Sequence, residues 1–139
     1  MNNTSIHQSF ILTFGYGNRS NYDTLLNYIK EFKIDFLIDV REKPRAWSRK
    51  WYGDQIEKFC HEQGIEYLSE TTLGNVSGTS HWVSPDPEKA DQVLQDIAQK
   101  AKSKTILLLC AEMDYHRCHR VEVAEELKKL THQPIKHLK

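Results

Sequence analysis

Apolar positions along the chain fall into two patterns, short unbroken runs and longer stretches with apolar residues three or four apart. Phe10-Ile11-Leu12-Thr13-Phe14 is the first run and predicts a strand; Tyr22, Leu25, Leu26, Ile29 and Phe32 follow at helical spacing. The loop between them, Gly15 to Ser20, ends in Ser20 and Asp23, a capping pair for the first free N–H groups of that helix. Phe36-Leu37-Ile38-Asp39-Val40 predicts a second strand. Asp54 with Glu57 marks another helix start, Gly64 a left-handed stop, and Ile65 to Leu68 a third strand. From Ser69 to Pro85 no period is sustained and Ser, Thr and Gly abound, which predicts a long loop. Asp86-Pro87 opens a helix with the stripe Val93, Leu94, Ile97 and Ala101, and Thr105 to Leu109 is the strongest buried-strand signal. The last helix is predicted from Cys118 to Leu130. Its Glu122, Glu125 and Glu126 precede Lys128 and Lys129, as the helix dipole favours, and Pro134 to Leu138 closes as a short strand.

Strands alternating with helices, and strands apolar on both faces, imply a parallel sheet covered on both sides. The predicted fold is α/β, a three-layer sandwich with a mainly parallel central sheet of about five strands. At 139 residues the chain fits one domain spanning 1–139 and leaves no room for a full dinucleotide enzyme with its own substrate domain. Lys plus Arg and Asp plus Glu both number 19, so nucleic acid or an anionic membrane would have to be met by a local patch. No apolar run approaches the ~20 residues that cross a bilayer, and the first residues lack signal-peptide character, so a soluble cytoplasmic protein without a membrane partner is expected. Three cysteines, an odd number and few, make free thiols the default.

In such folds ligands bind beyond the carboxyl ends of the strands, which directs attention to the loops after strands one, two and four. In the first, Gly15 and Gly17 permit tight backbone, the helix start can donate to an anion, and Asn18 and Arg19 add donors. The same residues also make an ordinary strand-to-helix turn. In the second, Asp39 and Arg41 lead into a stretch to Tyr52 where five basic side chains face one acid among three aromatics. Arg41, Arg45, Trp47, Arg49 and Trp51 could there bind a nucleotide or nucleic acid, or the tryptophans could simply pack the loop while its cations stay solvated. The third loop runs from Cys110 to Arg120. Cys110 ends a buried strand, and Cys118 sits near a helix N-terminus where the dipole with Arg117, His119 and Arg120 favours thiolate. Either cysteine could be a nucleophile or a packing residue. Glu112 and Asp114 would repel phosphate unless they hold Arg side chains. Cys110, His116, Cys118 and His119 are metal-competent by type, but their spacing matches no zinc ribbon or finger, so no metal or cofactor is assigned.

Gly15-Tyr16-Gly17-Asn18-Arg19-Ser20, Ile38-Asp39-Val40-Arg41, Leu73-Gly74, and Cys110-Ala111-Glu112 with Cys118-His119-Arg120 together resemble the family called domain of unknown function 488. That resemblance covers nearly the whole chain and implies a small cytosolic α/β protein. The order of Leu37 to Glu42 ahead of Cys110 and an Arg-bearing helix start is also distantly similar to the rhodanese domain. Here, however, Arg117 follows Cys110 after six residues and Arg120 after nine, unlike the anion loops of rhodaneses and cysteine phosphatases.

The resulting expectation is a thiol-dependent transferase or hydrolase acting on a small anionic substrate, phosphorylated or sulfur-containing. Cys110, Cys118 and His119 would be catalytic; Gly15, Gly17, Asn18, Arg19, Asp39, Arg41, Glu112 and Arg120 would bind substrate. The alternatives are a noncatalytic nucleotide or nucleic-acid module using the basic aromatic loop, and a scaffold contacting an acidic protein. Gly17, Arg19, Asp39, Arg41, Cys110 and Arg120 are expected around one concavity, with Asp39 orienting an Arg. The segment Leu73 to His81 would cover it, Thr79, Ser80 and His81 offering donors and Trp82 an apolar wall.

Overall fold

The computed structural model describes residues 8–139. Five strands, β1 (Ile11–Gly15), β2 (Phe36–Asp39), β3 (Glu66–Ser69), β4 (Ile106–Cys110) and β5 (Ile135–His137), alternate with four helices, α1 (Asp23–Phe32), α2 (Gly53–Glu62), α3 (Pro87–Lys100) and α4 (Arg120–Thr131). The strands form one sheet in the order β3-β2-β4-β1-β5, with every pairing parallel. Every residue of β1, β2 and β4 is buried, the consequence of inner strands covered on both faces. The edge strands β3 and β5 keep polar, exposed positions such as Glu66 and Lys136.

Two cores flank the sheet. On one side Ile38, Val40, Ile106, Leu108 and Cys110 meet Leu94 and Ile97 of α3 and Val123 and Leu127 of α4. On the other, Leu12, Phe14, Leu107 and Leu109 meet Leu25 and Ile29 of α1 and Ile56 and Phe59 of α2. The architecture is therefore the three-layer α/β sandwich. No helix among the described residues is long and apolar enough to cross a membrane.

Helix starts depart from the sequence reading. Tyr22, not Ser20, is the N-cap of α1 and makes no side-chain cap bond; Asn21 Oδ1 instead accepts from the Asp23 N–H at 3.0 Å. α2 begins at Gly53, whose N–H donates to the Pro44 carbonyl at 2.9 Å and anchors the basic aromatic loop. α4 begins at Arg120 rather than Cys118, because a short 3₁₀ turn, Tyr115–Arg117, comes first, with Asp114 accepting from the His116 N–H. Cys118 follows in extended conformation. Asp86 does cap α3, accepting from the Lys89 N–H, and Gly64 has the left-handed φ of +76° expected of its stop. Another short 3₁₀ turn, Thr71–Leu73, interrupts the long loop and buries Leu73 against α3 and α4.

Candidate functional site

The register places Gly15 of β1 beside Cys110, so the first loop and the one leaving β4 separate together. The Tyr16 N–H donates to the Cys110 carbonyl at 3.0 Å and the Gly17 N–H to that of Ala111 at 2.7 Å. A Cβ on Gly15 would lie 1.8 Å from the Glu112 carbonyl oxygen, so only glycine allows this approach. The β4 loop then passes through its 3₁₀ turn and returns Cys118 to Cys110. Among the described residues, Cys110, Cys118 and His119 form a buried group whose two sulfurs and one ring nitrogen all lie within 4.8 Å of one another.

His119 is held by the backbone. Its Nε2 lies 2.9 Å from the Val40 carbonyl and 3.0 Å from that of Leu73, both acceptors, so Nε2 carries the proton. Nδ1 is thereby turned, as an acceptor, toward Cys118 Sγ at 3.8 Å. The neighbouring Cys110 thiol, the contact with His119 and the Arg120 N–H, 3.5 Å from the sulfur, outweigh burial and hold the Cys118 thiol down to about 4. Cys110 moves the other way: the nearness of Cys118, burial and the thiolate charge keep it protonated. Burial opposes a charge on His119, but the bond to Cys118 and the thiolate charge raise its pKa. The group therefore favours one thiolate, one thiol and an imidazolium.

Arg120 completes the electrostatics. Its side chain is fully buried, with Nη1 donating to the Glu112 carbonyl at 2.5 Å, Nη2 to that of Met113 at 3.4 Å, and Nε unpartnered. It has no carboxylate partner among the described residues. The charge of this buried guanidinium also helps to lower the Cys118 thiol.

Asp39 and Arg41 form a separate, closed unit. Arg41 Nε and Nη2 donate to the two Asp39 carboxylate oxygens at 2.8 and 2.6 Å, and Nη1 donates to Tyr16 Oη at 3.1 Å and the Trp51 carbonyl at 2.7 Å. Tyr67 Oη adds a bond of 2.6 Å to Asp39. Asp39 does orient an Arg. The donors of that Arg, though, go to protein acceptors, so Arg41 ties β2 to the loop around Trp51 and does not face a ligand. The part of Tyr16 was not read from the Gly-Tyr-Gly loop, whose glycines, Asn18 and Arg19 alone drew attention. The part of Tyr67, and the carbonyls of Val40 and Leu73 behind His119, left no mark in the sequence because distant segments supply them.

Gly17, Asn18 and Arg19 line a cavity of about 430 Å³ together with Arg45, Trp47 and Ala111. Arg19 Nη1 donates to Thr24 Oγ1 and its guanidinium lies over the Phe14 ring. Of the two tryptophans, Trp51 is buried, stacks on Tyr16 at 4.7 Å and donates from Nε1 to the Arg19 carbonyl, while Trp47 is fully exposed. Arg45 and Arg49 are exposed as well. This cavity lies on the α1–α2 side of the sheet. Cys110 and Cys118 pack into the α3–α4 core and do not line it, so the expected single concavity is divided. The segment after Leu73 also belongs to the α3–α4 side: Trp82 packs on that core, donating from Nε1 to the Gly74 carbonyl and from its backbone to Glu122. It does not cover the cavity. A larger cavity, of about 520 Å³, opens at the other end of the sheet beside Phe10, Asp35 and Lys104, away from the loops that carry chemistry.

The remaining acidic and metal-competent residues point outward. Glu112 lies 3.8 Å from Arg117 and His116 lies 3.1 Å from Asp114, all of them solvent-facing apart from half-buried Glu112. His116 is thus not with the cysteines. Cys110, Cys118 and His119 Nδ1 are the donors that could hold a soft divalent ion such as zinc.

A family model described as Domain of unknown function DUF488 matches residues 21–127. The chain belongs to that family. The DUF488 match reaches from just before α1 into α4 and so contains Asp39, Arg41 and the whole loop from Cys110 to Arg120; β1 with Gly15 to Ser20, and β5, lie outside it. No curated protein and no solved structure matches the chain.

Proposed function

We propose that this protein is a thiol-dependent enzyme, a transferase or hydrolase, in which Cys118 attacks a small substrate carrying an anionic, phosphorylated or sulfur-containing group. The observation that carries this reading is the Cys118–His119 contact of 3.8 Å, with the imidazole tautomer fixed by two backbone carbonyls. A thiol beside a bare, oriented ring nitrogen can pass its proton at neutral pH, and an activated nucleophile is the result. Arg120, which has no carboxylate partner among the described residues, adds its positive charge to the stabilisation of the Cys118 thiolate. Three free cysteines suit a reducing compartment, so a cytoplasmic location belongs to the same reading.

Iodoacetamide alkylation followed against pH, with the labelled residue identified by peptide mass, tests it. Cys118 should be modified at near-maximal rate at pH 6, and His119→Asn should move the midpoint up by more than one pH unit. An ordinary thiol profile with its midpoint near ~8.5, or no reaction at Cys118, would sink the proposal.

A second reading has its own observation. Exposed Trp47, with Arg19 and Arg45 at the same cavity, offers a stacking face beside cations, as a noncatalytic nucleotide-binding module requires.

A further inference from the structure

We propose that Cys110 and Cys118 are a dithiol–disulfide pair that reduces hydroperoxides, with Cys118 as the attacking sulfur and Cys110 as the resolving one. The inference rests on the thiolate reading of Cys118 and adds a second thiol and an oxidant to it.

The two sulfurs come from elements far apart in function. Cys110 ends the central strand β4 and cannot move without disturbing the sheet, whereas Cys118 lies outside α4 in extended backbone between a 3₁₀ turn and the helix. With both sulfurs within 4.8 Å of each other, a bond between them asks for a shift of a few Å by Cys118, which belongs to neither strand nor α-helix. Their surroundings differ: Cys118 Sγ lies 3.8 Å from His119 Nδ1, a base that can take its proton, whereas Cys110 makes no such contact among the described residues. Only 8% of Cys110 and 6% of Cys118 is exposed, which admits a small neutral oxidant and excludes a bulky disulfide substrate. Cys60, buried across the sheet among α1–α2 core residues, is outside the group and serves as an internal control.

The chemistry balances with a hydroperoxide as oxidant. The Cys118 thiolate attacks the terminal peroxide oxygen and the O–O bond breaks. The departing alkoxide or hydroxide takes a proton from the His119 imidazolium, leaving Cys118 as sulfenic acid. Cys110 then gives up its proton and attacks that sulfur, and the sulfenic hydroxyl leaves with the proton as water. Two thiols and one hydroperoxide thus become one disulfide, one alcohol or water, and one further water.

Trypsin cutting after Lys104, Arg117 and Arg120 places the two cysteines on different peptides, so the wild-type protein itself reports the bond. Reduced full-length protein is treated with an equivalent of hydrogen peroxide, digested without reductant and examined by mass spectrometry, with dimedone present in a parallel sample. The expected result is a linked pair joining Thr105–Arg117 to Cys118–Arg120, free thiols falling from three to one, and little dimedone adduct. Cys110→Ser should instead accumulate a dimedone adduct at Cys118, and Cys118→Ser should give neither product. If Cys118 alkylates rapidly near neutral pH yet peroxide gives a lasting adduct on the wild type and no linked peptides, the inference falls while the thiol-enzyme reading stands. If Cys118 does not alkylate, that reading fails first. A stoichiometric zinc ion retained by the purified protein and shielding both thiols from peroxide also overturns the proposal.

Discussion

Buried charge is the theme at the scale of single residues, and this fold compensates it twice in different ways. Arg120 is held by the Glu112 and Met113 carbonyls; Arg41 is balanced by a carboxylate that also accepts from Tyr67. The second arrangement is rigid, because the guanidinium fork meets both Asp39 oxygens and its other amino group holds Tyr16 and Trp51. Asp39→Asn keeps the size of the side chain but strands a charged Arg41 at 5% exposure, and should cost about 3–5 kcal/mol in urea unfolding. The double change Asp39→Leu with Arg41→Met should recover much of that loss, since a buried pair replaced by apolar side chains is often nearly neutral. If Asp39→Asn leaves the urea midpoint unchanged, the pair is not the tie between β2 and the Trp51 loop described above. The sequence suggested that Asp39 would orient an Arg, but whether Arg41 faced a ligand or the protein depended on Tyr16 and Trp51, and no local pattern fixes where those two groups end.

At the scale of elements, the inner strands were the most legible parts of the chain. Ile11 to Gly15 and Ile106 to Cys110 are buried on both faces, which leaves a mostly apolar run in the sequence, broken in the first only by buried Thr13. The start of α4 was less legible, because Asp114 captures the chain in a 3₁₀ turn before the helix begins, and apolar spacing cannot report such a turn. The loop from Arg41 to Tyr52 was legible only as alternatives, and both hold in part: Trp51 packs and Trp47 does not. That division makes the nucleotide reading testable on one side chain. Trp47→Ala removes no core contact, so it should leave the thermal midpoint unchanged while weakening a nucleoside triphosphate titration by about 1–3 kcal/mol, roughly 5- to 150-fold. Arg45→Ala should weaken the same titration and make it less dependent on salt. No binding by the wild-type protein at low salt removes the nucleotide reading and leaves the cysteine site untouched, because the two lie on opposite faces of the sheet.

The whole molecule carries no net charge at neutral pH, so its response to pH falls on the few groups that folding perturbs. Cys118 is held low, so its contribution is present above the ordinary thiol value of 9.0 and is lost as pH falls toward about 4. His119 is raised, so its contribution is complete below 6.5 and is lost as pH rises through its folded value. From 6.5 up to the raised folded value of His119, the folded pair carries one proton, on the imidazole, and the unfolded pair also carries one, on the thiol, so the two slopes cancel and stability is flat. Below 6.5 the unfolded imidazole takes up a second proton and stability declines with acid. On the alkaline side His119 gives up its proton and Cys110, kept neutral by the fold, adds loss above 9.0, and groups elsewhere add more. Burial pushes Cys60 up to about 12, so the folded thiol stays neutral where the unfolded one ionises, and stability falls between 9.0 and about 12. Cys60 alone sets a limit of about 1.4 kcal/mol per pH unit on its share of that fall. Burial raises the Tyr16 and Tyr67 phenols too, and they add loss of the same sign from 10.0 upward. Thermal midpoints measured across pH should therefore show a neutral plateau with a limb on either side. Cys60→Ala should shallow the alkaline limb and spare the acid one. An alkaline limb unchanged by Cys60→Ala would mean that the buried thiol is not what the fold protects from ionising.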